Sequence, residues 1–161
     1  DLEKFKNIFA GKTAVICGAG QSLSEYVPID GAVHIALNRA LFNSKIKYDY
    51  LFMQDEPREG LKAFNDYPCD KFYGIITNPD FIDLGFNKDI TQHANGSVYY
   101  YELSPRFFNS NVDLYEFEID KYCLTDAQSV LFSALQFAVF AGFKQICLVG
   151  VDFSDVTMIC K

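Results

Sequence analysis

Two short runs in this sequence, TAVICG (Thr13 to Gly18) and ICLVG within KQICLVGVDF (Lys144 to Phe153), are apolar almost throughout, with no alternation. A strand that is apolar on both faces needs a covering layer on each side, which is the situation of a parallel sheet packed between helices. Three further runs fit the same role: AVHIALN (Ala32 to Asn38), YDYLFMQ (Tyr48 to Gln54) and KFYGIIT (Lys71 to Thr77), the last stopped by Asn78-Pro79. Their spacing suits βαβ units with short connecting helices. EPREGLKAFNDY predicts a surface helix with Leu61 and Phe64 turned inward. DAQSVLFSALQFAVFAGF predicts a largely buried helix, capped by Asp126 and closed by Gly142. The architecture expected is α/β: a three-layer sandwich around a mainly parallel sheet.

The rest of the chain is less regular. DLEKFKNIFAGK reads as a short amphipathic helix with Leu2, Phe5, Ile8 and Phe9 on one face. Residues 78–121 read as a variable insertion within a single domain spanning 1–161. SVYYYEL (Ser97 to Leu103) and LYEFEI (Leu114 to Ile119) are its strand candidates. The closing SDVTMICK completes no element, so more chain is expected past Lys161.

Charge and cysteine content narrow the function. Against 14 basic residues stand 21 acidic ones, a net charge of −7. That balance argues against a nucleic-acid partner, which needs a broad basic field, yet leaves room for one phosphorylated small molecule. Cys17, Cys69, Cys123, Cys147 and Cys160 form no CxxC pair and read as reduced thiols of a cytoplasmic protein. With His34 and His93 the only histidines, no zinc cluster is visible. No run approaches the roughly 18 apolar residues of a membrane span.

In an open parallel sheet all strand ends share one edge, and ligands bind there. The predicted ends are Gly18-Ala19-Gly20, Asn38-Arg39, Gln54-Asp55-Glu56 and Gly150-Val151-Asp152. The expected site places the amides of Gly18, Ala19, Gly20 and Gln21 against phosphate, with Ser22 beside them, Asn38 on base or ribose, and Arg39 as an anion contact. The Gly-Ala-Gly turn lacks the third glycine of a dinucleotide fingerprint and the lysine of a Walker loop. Structural roles compete at each position. Ser22 and Ser24 suit a helix cap, Asn38 its own backbone, Asp152 a loop closure, and Asp55 with Glu56 a solvated pair. His34 fits a core position and His93 the surface.

The segments AVICGAGQSLSE, IALNRALF, YDYLFMQDE and DAQSVLFSALQFAVFAGFKQICLVGVDFS also resemble, in this order, two related groups of proteins. One is the bacterial sialyltransferases of glycosyltransferase family 42. The other is the motility-accessory-factor and pterin-pyrophosphokinase-like domains. Both imply a Rossmann-like sheet. The sialyltransferase resemblance implies a CMP-sugar donor, a surface glycan or lipooligosaccharide acceptor, and nucleotide contacts at Gly18, Ala19, Gly20, Asn38, Gly150, Asp152 and Phe153. Gln54 or Asp55 and Ser129 complete that set. Three departures stand out: Ala19 and Gln54-Asp55 replace asparagines, and Ser154 replaces a tyrosine. The family's catalytic histidine lies past the last strand, beyond this chain, so no general base is named. The pterin-kinase resemblance implies Mg²⁺ and phosphate held by Asp55 or Glu56. The leading expectation is therefore a sialyltransferase-like glycosyltransferase without a metal. The alternatives are a Mg²⁺-dependent pyrophosphokinase, or a non-catalytic module of a glycan or flagellar pathway. Peripheral membrane association would come through sequence outside this chain.

Overall fold

The computed structural model describes residues 2–54, 58–76, 93–104, 119, 124–125 and 129–152. Seven strands form one sheet: β1 (Thr13–Cys17), β2 (Val33–Leu37), β3 (Tyr50–Met53), β4 (Asp70–Ile76), β5 (Val98–Ser104), β6 (Leu124–Thr125) and β7 (Gln145–Val149). Their order is β6-β5-β4-β3-β2-β1-β7, and every pairing is parallel. Two α-helices are described, α1 (Arg58–Asp66) and α2 (Val130–Phe140). The α/β sandwich around a mainly parallel sheet expected from the apolar runs is what forms, with every described pairing parallel and the arrangement Rossmann-like, as the resemblance implied. β5 falls inside the stretch read as an insertion, yet it joins the main sheet beside β4. The LYEFEI strand candidate lies, but for Ile119, outside the described residues.

Strand alternation divides the core in two. Ala14, Ile16, Ile35, Phe52 and Phe72 point to the face covered by α2, where they meet Ala134, Phe137 and Ala138. Val15, Cys17, Leu51, Met53 and Tyr73 point to the other, covered by α1 and its neighbouring turns through Leu61, Phe64, Leu41 and Tyr48. Each large side chain sealed this way contributes about 1.5–3 kcal/mol. Aromatic pairs reinforce the first face: Phe52 stacks on Phe72 with ring centroids 4.5 Å apart, and Phe72 meets Phe137 at 4.7 Å. Burial also drives the Cys17 thiol up to about 12, so it behaves as the small hydrophobe expected.

Several local expectations need correction. Short 3₁₀ turns, Gln21–Glu25 and Asn38–Phe42, replace the predicted connecting helices after β1 and β2. Pro28 bars a helix from running on past Tyr26, because it lacks an N–H and restricts the residue before it. The N-terminal helix is only a 3₁₀ turn at Glu3–Phe5. Beyond it Asn7 turns left-handed at φ 58°. Asn7 and Phe9 donate their N–H groups to Phe140 and Ala141 carbonyls at 3.1 and 2.9 Å, satisfying carbonyls at the end of α2. Docking there outweighs local helix propensity. The cap of α2 is Ser129 rather than Asp126: its side chain accepts the Leu131 N–H at 3.3 Å. Gly142 does close α2, at φ +81°. α2 is largely buried, as expected, with one exposed stripe at Phe132 and Val139. β7 is the outer strand of the described sheet, with Leu148 exposed and Cys147 half-buried.

Candidate functional site

The strand order places a switch point between β1 and β7. Successive strands step away from β1 on one side, and the chain returns to its other side only at β7. Loops leaving these two strands diverge and open a crevice at their carboxyl ends, which is where parallel α/β sheets take ligands. Gly18, Ala19 and Gly20 follow β1, Gly150 to Asp152 follow β7, Asn38 and Arg39 follow β2, and Gln54 follows β3. The structure thus brings these predicted groups to one rim. Ser129 joins the same edge at the start of α2, although its hydroxyl is committed to the helix cap. Asp55, Glu56 and Phe153 lie outside the described residues.

The glycines of β1 and β7 are in backbone contact. Gly18 donates its N–H to Val149 O at 2.8 Å, and Gly20 donates to Gly150 O at 2.7 Å. These two amides are therefore already used by the fold, contrary to the expectation that they face phosphate. A Cβ on Gly20 would stand 2.6 Å from both Asp152 Oδ2 and Gly150 O, so only glycine fits. Ser22 completes the closure. It donates its N–H to Asp152 Oδ2 at 2.7 Å and its hydroxyl to Asp152 Oδ1 at 2.5 Å. The Gly150 N–H, 3.0 Å away, donates to Ser22 Oγ and so aims the serine proton at Asp152.

Two donors on two oxygens favour the ionised carboxylate. The Ser22 hydroxyl, and then its backbone N–H, hold Asp152 below the usual carboxylate range. A depressed folded value means that the contact contributes above the ordinary aspartate pKa and is lost as pH falls through the depressed one. Ser22→Ala should raise the Asp152 midpoint part of the way to its ordinary value in a carboxyl-carbon NMR titration; an unmoved midpoint would contradict this chain of bonds.

Beside the crevice a pocket of about 310 Å³ opens to solvent between the two 3₁₀ turns. Ala19, Gly20, Gln21 and Ser24 line one wall, and Arg39, Ala40 and Asn43 the other. Asn43 ties the walls together by donating Nδ2–H to Leu23 O at 3.3 Å. The Ala19 and Gln21 amides have no partner among the described residues, and Arg39 is exposed. These groups form the electropositive part of the rim. Ser24 and Asn43 gain their place only from the 3₁₀ geometry, which no periodicity in the sequence announces.

The remaining candidates sit elsewhere. His34 is buried near the start of β2, away from the rim, with Nε2 3.0 Å from Tyr26 Oη; the core reading holds. His93 is exposed. Among the described residues no cluster of three or more His, Cys, Asp or Glu side chains could hold a metal, and no helix is long and apolar enough to cross a membrane.

A family model described as 6-hydroxymethylpterin diphosphokinase MptE-like matches residues 1–157. No curated protein and no solved structure matches the chain.

Proposed function

Since the chain belongs to the 6-hydroxymethylpterin diphosphokinase MptE-like family, we propose that its rim binds a nucleoside triphosphate and a hydroxymethyl heterocycle and transfers a diphosphate between them. In that reaction the substrate hydroxyl oxygen bonds to the β-phosphorus. The bond from that phosphorus to the α,β-bridging oxygen breaks, the oxygen leaves with the nucleoside monophosphate, and the hydroxyl proton passes to solvent or a base. The observation that carries this reading is that Gly20 and Asp152 at the switch point, with Asn38, Arg39 and Gln54 beside it, lie along one edge of the sheet, next to a pocket with amide donors unpartnered among the described residues.

Each group has a physical task. Arg39 and the Ala19 and Gln21 amides would take phosphate oxygens, an arrangement that stabilises charge without moving during the reaction. Asp152, already ionised and exposed, fits a Mg²⁺ that arrives with its phosphates and waters, because such an ion asks the protein for only one or two carboxylates. Mg²⁺ held there would supply charge neutralisation on the diphosphate. Catalysis by the chain is then mostly positioning.

The test is turnover with ATP, Mg²⁺ and 6-hydroxymethyl-dihydropterin, read as AMP release. We expect Arg39→Gln to lower kcat/KM by roughly 10- to 100-fold, the worth of one charged hydrogen bond. No AMP above background removes the diphosphokinase reading. Saturable CMP binding indifferent to chelator would instead support the sialyltransferase-like reading. Binding without turnover of either donor would support an accessory module.

A further inference from the structure

Two carboxamide residues meet where β2 and β3 end, the side chain of Asn38 bonded to the backbone of Gln54. Asn38 follows β2 at φ 46°, a left-handed conformation that asparagine tolerates better than most residues. Its Oδ1 accepts the Gln54 N–H at 2.9 Å. That bond settles which end of the Asn38 amide is oxygen, and it leaves the two Nδ2–H donors directed elsewhere. No described group takes them. Gln54 is 4% exposed. Its Oε1 is sealed from solvent and has no hydrogen-bond partner among the described residues.

An unmade acceptor of this kind costs about 1–3 kcal/mol, and buried polar atoms are nearly always satisfied. β3 is flanked by β2 and β4, so a leucine or methionine would suit this position better on packing grounds alone. Strain that the fold does not need, placed on a ligand rim, points to a partner that arrives with the ligand.

We propose that Asn38 and Gln54 together read the edge of a planar heterocycle, Asn38 Nδ2 donating to a ring acceptor and Gln54 Oε1, brought out to the rim by rotation of its side chain, accepting from the neighbouring N–H. The assignment deepens the diphosphokinase reading and rests on it. Two rings in that reaction offer such an edge: the lactam side of a pterin and the N1/N6 side of adenine. A site built around a hydrogen bond rejects a ligand, or loses one, by large factors once a buried group is left unpaired.

The experiment titrates 6-hydroxymethylpterin, followed by its own fluorescence, and separately AMP, into the wild-type chain, Gln54→Leu and Asn38→Asp. The aspartate keeps the acceptor for the Gln54 N–H but removes the donors. The expected result is a loss of roughly 100-fold for one probe in both variants, with the other probe little changed; the probe affected identifies the ring. The melting temperature of Gln54→Leu should equal or exceed that of wild type, since the unpaired atom is gone. Unchanged affinity of both variants for both probes overturns the proposal and leaves the functional reading standing. A melting temperature that falls in step with affinity in both variants also overturns it, by making the pair structural. Wild-type chain that binds neither probe defeats the functional reading, and this inference with it.

Discussion

Lys71→Met is expected to cost about 3–5 kcal/mol and to lower the melting temperature by roughly 6–20 °C. Lys71 is completely buried at the start of β4, an unusual place for an ammonium. It is tolerated because Nζ donates to the carbonyls of Tyr67 at 2.5 Å and Cys69 at 2.6 Å, and to that of Asn95. These acceptors belong to two different connections, one leading from α1 into β4 and one leading into β5. One side chain therefore fastens both connections to the sheet. Methionine would fill the volume of the stem and leave three carbonyls without their donor. Burial pushes the lysine pKa down, which shows how much of its hydration has been given up for these bonds. Lys71 lies at the opposite end of β4 from the candidate site. Thermal and urea denaturation should thus report the loss, while ligand affinity of the folded fraction stays near wild type. A melting temperature within about 2 °C of wild type would show that the three bonds carry little net stability.

Gly150→Ala should be nearly as damaging to the fold and far more damaging to the site. Gly150 has φ +66°, and a Cβ there would stand 2.2 Å from Gly18 O. The left-handed conformation alone costs a non-glycine residue about 1–2 kcal/mol. Overpacking against backbone, which cannot rotate away, adds about 1–3 kcal/mol. Relief requires β1 and β7 to separate at their carboxyl ends, breaking the bonds from Gly18 to Val149 and from Gly20 to Gly150. Ser22 and Asp152 would part with them. We expect a destabilisation of about 2–5 kcal/mol together with loss of measurable nucleotide binding by calorimetry. Gly18→Ala, whose Cβ would lie 2.4 Å from Gly150 O, should behave alike. A Gly150→Ala protein with wild-type stability and affinity would show that this close approach is dispensable.

Much of this was readable in the chain. Val15, Ile16 and Cys17 are apolar on consecutive positions and are buried in a sheet covered on both sides, while β7 carries a similar run with Leu148 left exposed. The strand ends were legible because Gly18, Asn38, Gln54 and Gly150 interrupt those runs. Where reading failed, a distant contact outweighed a local preference. The N-terminal segment has the apolar spacing of a helix, yet it unwinds to serve the carbonyls at the end of α2. The apolar outer stripe of α2 at Phe132 and Val139 could not be told from its buried stripe, because composition does not state which face the sheet takes. SVYYYEL could be called a strand but not placed, since pairing with β4 is a matter of register between chain segments.

The sequence alone determined the class of sheet, its parallel sense and the residues at the carboxyl ends of its strands, because apolar periodicity and glycine placement are local properties. Tertiary structure alone decided what those residues are bonded to. Ser22 meets Asp152 across 130 positions, and Asn38 meets Gln54 across 16. Those partnerships turn the glycine corner from a presumed phosphate cradle into a closed joint. They also leave the open donors on the neighbouring turn. Hydrogen bonds between distant strand ends depend on strand order, and strand order is set by how the whole core packs.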